Sequence, residues 1–212
     1  MIDENKPTKE NSAKKWRWYH GVLFYAGVQG LSFGLGKLVS KVVEKSEPQL
    51  IEQIAGNASY NEFYNDLTQP VFAPPDWSFA PAWTLNNALM IWGLGRVLNM
   101  PPEKAGREEF LAWQTAFWIV FVAFNPLLFG LRSPILGAID TNVGLVLTAG
   151  GTAVAASKFK DSPTAVLQSP TLLWLALAAV TATTIAVWNK DEFFDSCPLV
   201  KPTLASGWAK KS

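Results

Sequence analysis

Residues 70 to 84 read Pro-Val-Phe-Ala-Pro-Pro-Asp-Trp-Ser-Phe-Ala-Pro-Ala-Trp-Thr, four prolines and four aromatics that run into an uncharged stretch ending at Gly95. Proline fixes φ and removes a backbone donor, so the segment reads as a stiff, extended lead into a helix. Trp and Phe rings in such a place favour a membrane–water interface. The plainer reading, an ordinary interfacial aromatic belt, needs the same address.

The composition agrees with that address. In 212 residues, 49% are hydrophobic, 13% are aromatic and ten are Trp, which is more apolar bulk than a soluble domain carries. The charges, 17% of the chain, concentrate in 3–17, 37–66, 96–109, 158–161 and 190–211. Trp18 to Gly36, Trp77 to Gly95, Phe110 to Leu131 and Ser162 to Trp188 have no Lys, Arg, Asp or Glu, and Ser133 to Ser157 has only Asp140. A hydrocarbon core of ~30 Å takes ~20 apolar residues per helix, and each stretch supplies about that.

The expected fold is therefore an all-α membrane protein, a five-transmembrane-helix bundle over 17–190 with spans at about 18–38, 77–98, 110–131, 134–157 and 166–188. A soluble helical domain would need outer helices with a polar stripe at helical spacing, and Phe110 to Leu131 has none. Polar tails are expected at 1–16 and 191–212, the first without the apolar core and cleavage site of a signal peptide. The polar loop 39–69 is long enough to be a lid or a plain connector. Orientation is undecided, with ten Lys and Arg on one side of five spans against eight on the other.

Small residues suggest close helix contacts at the Gly30–Gly34 pair and along Ala178, Ala182 and Ala186. Cys197 is the one cysteine and His20 the one histidine, which leaves no metal cluster and no Ser-His-Asp arrangement. His20, beside Trp16, Trp18 and Tyr19, reads as an amphipathic interface ring, with an axial contact to a metallated tetrapyrrole as its other use. No paired carboxylates lie inside the spans and no phosphate loop follows a strand, so no catalytic residue and no enzyme activity is expected. A net charge of +1 argues against nucleic acid. Asp140 is the one acid inside a span; such a group is costly in lipid unless paired or hydrated, so it is a candidate for ligand or proton contact, or else a helix cap.

The run Asn65-Asp66-Leu67-Thr68-Gln69-Pro70, then Phe72, Pro74-Pro75, Trp77, Phe79, Pro81, Trp83-Thr84 and Leu89-Met90, resembles the signature of the tryptophan-rich sensory protein and translocator protein family, also called the peripheral benzodiazepine receptor family. Gln114, Pro126, Phe129-Gly130, Leu173-Trp174 and Asn189 extend the resemblance over roughly 60–190. It implies a five-helix bundle with a pocket open to one membrane face under the loop after the first helix. It also implies porphyrin, sterol or benzodiazepine-type ligands, no required cofactor though a tetrapyrrole can be bound, lipid contact, and a homodimer as in several members.

The pocket residues implied are Phe72, Pro75, Trp77, Phe79, Trp83, Thr84 and Trp174, flat walls suited to a flat apolar ligand. Departures from the family pattern add polar groups elsewhere. Asn86-Asn87 stands where Leu-Tyr is usual, Phe121 or Trp118 (by two counts) where the third helix has Asn, and Thr181-Ala182 where the fifth has Leu-Asn. The tail lacks the Tyr of the sterol-type motif. With Asn87, Trp118, Phe121 and Asp140 added to the site, the expectation is a membrane receptor or carrier for an apolar ring compound with altered hydrogen bonding. The alternatives are a structural or assembly subunit of a larger membrane complex with an eroded pocket and, more remotely, photochemical breakdown of a bound tetrapyrrole.

Overall fold

A computed structural model describes residues 15–43, 63–160 and 163–205. Most of the expected lid, 39–69, and most of the N-terminal tail lie outside the described residues. Five long helices make the body: α1 Trp18–Val43, α2 Phe79–Leu98, α3 Arg107–Asn125, α4 Pro134–Lys158 and α5 Thr164–Trp188. Among the described residues the only β-pairings are the isolated bridges Pro70–Ala205 and Asp191–Ser196.

Each helix end has a local cause. A 3-10 turn, Asp76–Ser78, leads into α2; Asp76 Oδ1 accepts Trp77 N at 2.7 Å and the Ser78 hydroxyl donates to Pro75 O at 2.6 Å. Pro81 falls in the first turn of α2, where no intrahelical donor is lost. Gly106 precedes α3 with φ 82°, a left-handed conformation, and an added Cβ would meet Lys158 Cγ at 2.7 Å. Glu108 and Glu109 in the first turn suit the positive end of that helix. Pro126 then cannot continue the ladder, and the chain widens into a π-helical segment, Pro126–Gly130, closed by Leu131 N donating to Pro126 O at 2.9 Å. Inside α5, Pro170 cannot donate to Val166 O; the Ser169 hydroxyl does so instead at 2.8 Å.

The helices close a ring in the order α1, α2, α5, α4, α3, with the π-helical segment packed on α1. Val28, Met90, Ile91, Phe117, Trp118 and Leu175 fill the centre. Val97, Phe110, Val154, Ala155 and Phe159 fill the end where α2 stops, and Phe63, Leu67, Leu128 and Ile185 the opposite end. Outward, every helix carries exposed apolar bulk, among it Leu23, Trp92, Ile119, Val146 and Leu173. Such a surface is stable only against lipid. Helices α1, α4, α5 and α3 with its π-helical extension are long and apolar enough to cross a bilayer. This is a multi-pass integral membrane protein.

The Gly30–Gly34 expectation is corrected: a Cβ at either position meets nothing within 4 Å. Between α1 and α2 the tight approaches are at Gly21, where a Cβ would lie 2.8 Å from Ile91 Cγ2, and at Gly95, where it would lie 2.6 Å from Trp16 Cδ1. Trp16 sits there because its N–H donates to Asn99 Oδ1 at 2.7 Å and its carbonyl accepts Asn99 Nδ2 at 2.9 Å, tying the lead-in of α1 to the end of α2. His20 Nδ1 accepts Arg17 N at 2.9 Å, so this ring is engaged with the start of its own helix.

Candidate functional site

The proline-rich stretch is held over the bundle end by reciprocal bonds. Asn189, at the close of α5, accepts Thr68 N at 2.7 Å and donates from Nδ2 to Thr68 O at 2.9 Å. On the same side, Val71 N donates to Leu204 O at 3.0 Å. These clips deliver Phe79, the first residue of α2, over the mouth of the ring, where it stands edge-to-face against Tyr64 at 5.4 Å and Trp174 at 5.7 Å.

Behind Phe79 lie two adjoining interior chambers. The outer, about 60 Å³, is lined by Tyr64, Leu67, Pro74, Ala182, Ile185 and others from the 63–66 turn, α4 and α5. The inner, about 80 Å³, is lined by Trp83, Phe117, Phe121, Asp140, Gly144 and Leu175. Both share Phe79, Phe124, Thr141, Trp174 and Ala178, so the rings of Phe79, Phe124 and Trp174 form the partition. Trp83 meets Phe121 at 5.3 Å and Trp174 at 6.5 Å with planes at 71° and 81°, an edge-to-face array that boxes the inner chamber on several sides.

The structure thus brings Phe79, Trp83, Phe121, Asp140 and Trp174 into one site. It places the other candidates elsewhere. Phe72, Pro75 and Trp77 are exposed at the rim and line neither chamber; Trp77, 74% exposed, belongs to the 3-10 turn, whose tighter winding turns it away from the phase of Phe79 and Trp83. Thr84, one residue past Trp83 and so about 100° round the helix, donates to Ala80 O at 2.8 Å. It faces a cleft of about 540 Å³ between α1 and α2. The exposed Trp18, Val22 and Trp92 among the walls of that cleft mark it as a lipid-side groove. Asn87 and Trp118 are buried in the bundle but touch neither chamber, and Asn87 Oδ1 and Nδ2 and Trp118 Nε1 have no partner among the described residues.

Several lining residues escaped sequence reasoning. Phe117 and Phe124 share one face of α3 with the expected Phe121 at helical spacing, a signal that was legible. Tyr64 and Thr141 had no such mark. Tyr64 is held against Phe79 with its phenol pushed up to about 12, first by burial and then by the Asp76 carboxylate.

Deeper in the bundle Gln114 Nε2 donates to Gln168 Oε1 at 3.0 Å, a wholly buried link from α3 to α5. The matched residues of the TspO/MBR family model run from 48 to 188 of this chain. The chain belongs to the TspO/MBR family. Translocator protein of Sus scrofa is 32% identical over 142 residues, covering 61% of this chain and 75% of that protein. Tryptophan-rich protein TspO of Chlorobaculum tepidum is 28% identical over 130 residues, 60% of this chain and 79% of that protein. Protein CrtK of Rhodobacter capsulatus is 29% identical over 131 residues, 60% and 77% respectively. The TspO/MBR match takes in every chamber residue from Tyr64 to Ile185, while α1 and the Trp16–Asn99 clip begin upstream of it.

Proposed function

We propose that this TspO/MBR protein is a membrane receptor or carrier that holds an apolar ring compound in the joined chambers between α2, α3, α4 and α5. The observation that carries the reading is the aromatic partition: Phe79, Phe124 and Trp174 are shared by both chambers, Phe79 and Trp174 meet edge-to-face, and Phe124 meets Phe129 in the same way. Rings of this kind grip a flat apolar guest by area burial and stacking. The chambers, about 60 and 80 Å³, are well below the ~300–1,000 Å³ of ligand sites. A tetrapyrrole, the first choice, or a sterol-like molecule enters only when Phe79 and Trp174 swing aside, the two spaces merge and the surrounding helices part to widen them. The role is binding and transfer, with no catalytic step and no required cofactor.

In this reading α2 is the fifth span. It is less apolar than its neighbours because of Asn86 and Asn87, and both amides are buried while Leu85 and Trp92 face outward at 59% and 61% exposure. Its polarity is turned into the bundle and its lipid face is greasy.

Titrating purified protein with a porphyrin while following Trp emission tests the proposal. Saturable quenching that depends on Trp83 and Trp174 is expected; emission that does not change, or changes without saturating, removes the reading.

A further inference from the structure

We infer that the inner chamber is built for the head of an organic cation, an alkylated ammonium group attached to the apolar ring compound. The inference rests on the ligand-binding reading above and narrows the class of ligand. Asp140 is 8% exposed, sits two turns into α4, and lines the chamber together with Trp83, Phe117, Phe121 and Trp174. The ion pairs Arg132–Glu192 and Lys190–Asp195 both lie at the surface, and Asp140 has neither an ion-pair nor a hydrogen-bond partner among the described residues. A carboxylate in a membrane-spanning helix without a partner is expensive, and the cost falls when a cation enters beside it.

The walls supply the second half of the recognition. Aromatic faces carry negative quadrupole potential and attract ammonium groups, most strongly where water is excluded. Trp83, Phe121 and Trp174 are connected edge-to-face with planes at 71° and 81°, so the chamber meets ring surfaces from more than one direction. A single acid among aromatic rings, with no basic side chain in the lining, is complementary to a positive, methyl-clad head and not to an anion. At about 80 Å³ the chamber takes no more than a head group, and the partition of Phe79 and Trp174 leads from it to the outer chamber, about 60 Å³, through which the rest of the ligand would extend once the partition swings aside.

The test compares benzyltrimethylammonium with its neutral isostere, neopentylbenzene, on the full chain in a non-ionic detergent, by Trp emission, in wild type and Asp140→Asn. Because detergent partitioning is the same for both proteins, the cation-to-neutral affinity ratio is read as wild type over variant. The cation-to-neutral ratio is expected to be about tenfold higher in wild type than in Asp140→Asn, and to fall between the two in Phe121→Leu, which removes one ring face without touching the acid. Helix content and thermal midpoint check that the variants are folded; if Asp140→Asn is not, the drop in the ratio from wild type to Phe121→Leu carries the decision, and an unchanged ratio there overturns the inference. A cation-to-neutral ratio that is the same in wild type and in folded Asp140→Asn overturns the inference and leaves the ring-compound reading standing, as does a porphyrin that binds where neither probe does. If neither probe nor a porphyrin binds, both fall.

Discussion

The carboxylate of Asp191 accepts the hydroxyl of Ser133 at 2.6 Å, joining the chain just past α5 to the cap of α4. The same oxygen accepts Ile135 N at 2.9 Å, and Asp191 Oδ1 accepts Phe194 N at 3.0 Å. Asp191 and Ser133 are fully buried, so the Ser133 hydroxyl has no water to fall back on. Asp191→Ala should therefore cost about 3 kcal/mol, the penalty of leaving a buried donor without an acceptor, and Asp191→Asn less, since its amide oxygen still accepts. Unfolding midpoints in detergent measure this, and equal midpoints for Asp191→Ala and wild type would show that the clip does not hold the helix ends together.

The chambers and the rim make opposite predictions for tryptophans that look alike in the sequence. Trp83→Leu and Trp174→Leu should each weaken porphyrin binding about tenfold, by loss of ring contact area and stacking. Trp77→Leu should leave the affinity within about twofold, because Trp77 is 74% exposed and lines neither chamber. A large effect at Trp77 and none at Trp174 would place the site at the rim.

Gln114 and Gln168 should be strongly non-additive. Either Gln→Leu change alone strands a buried amide and should cost about 1–3 kcal/mol, whereas the double change replaces both with apolar groups and should cost less than the sum. A double-mutant cycle on unfolding free energies gives the coupling directly; additivity would mean that the 3.0 Å contact contributes nothing specific.

Tyr64 makes stability pH-dependent at the alkaline end. Its phenol is pushed up to about 12 by burial and by Asp76, against an ordinary value near 10. The folded state thus holds this proton more tightly than the unfolded one, so the stabilisation is complete below pH ~10 and is lost as pH rises from there towards 12. Tyr64→Phe should flatten that part of the stability curve, and spectrophotometric titration of tyrosinate should lose its highest step. An unaltered alkaline limb in the variant would assign the effect to another group.

Much of the fold was legible because its cause is local. The uncharged runs gave the helices within a few residues, with α1 reaching Val43 instead of ending near 38 and α3 handing over to a π-helical segment at Pro126. Among the residues that line the inner chamber, Phe79, Trp83 and Trp174 were marked by the family resemblance and Asp140 by being the one acid inside a span, while helical spacing puts Phe117 and Phe124 on one face of α3 with Phe121. Sequence reasoning failed where direction is set by neighbours. Trp77 looks like a wall residue until the 3-10 turn points it away, and Thr84 is only one position from Trp83 yet faces the opposite cleft.

The chain by itself determined that this is a helical protein of the bilayer, because hydrocarbon tolerates only long uncharged segments whose backbone groups bond within the segment, and both properties reside in consecutive residues. Only the tertiary structure decided which rings enclose the chambers and that Asp140 stands among them without a partner. Those facts depend on the ring order α1, α2, α5, α4, α3 and on the rotation of each helix about its axis, which are set by contacts between residues far apart in the sequence.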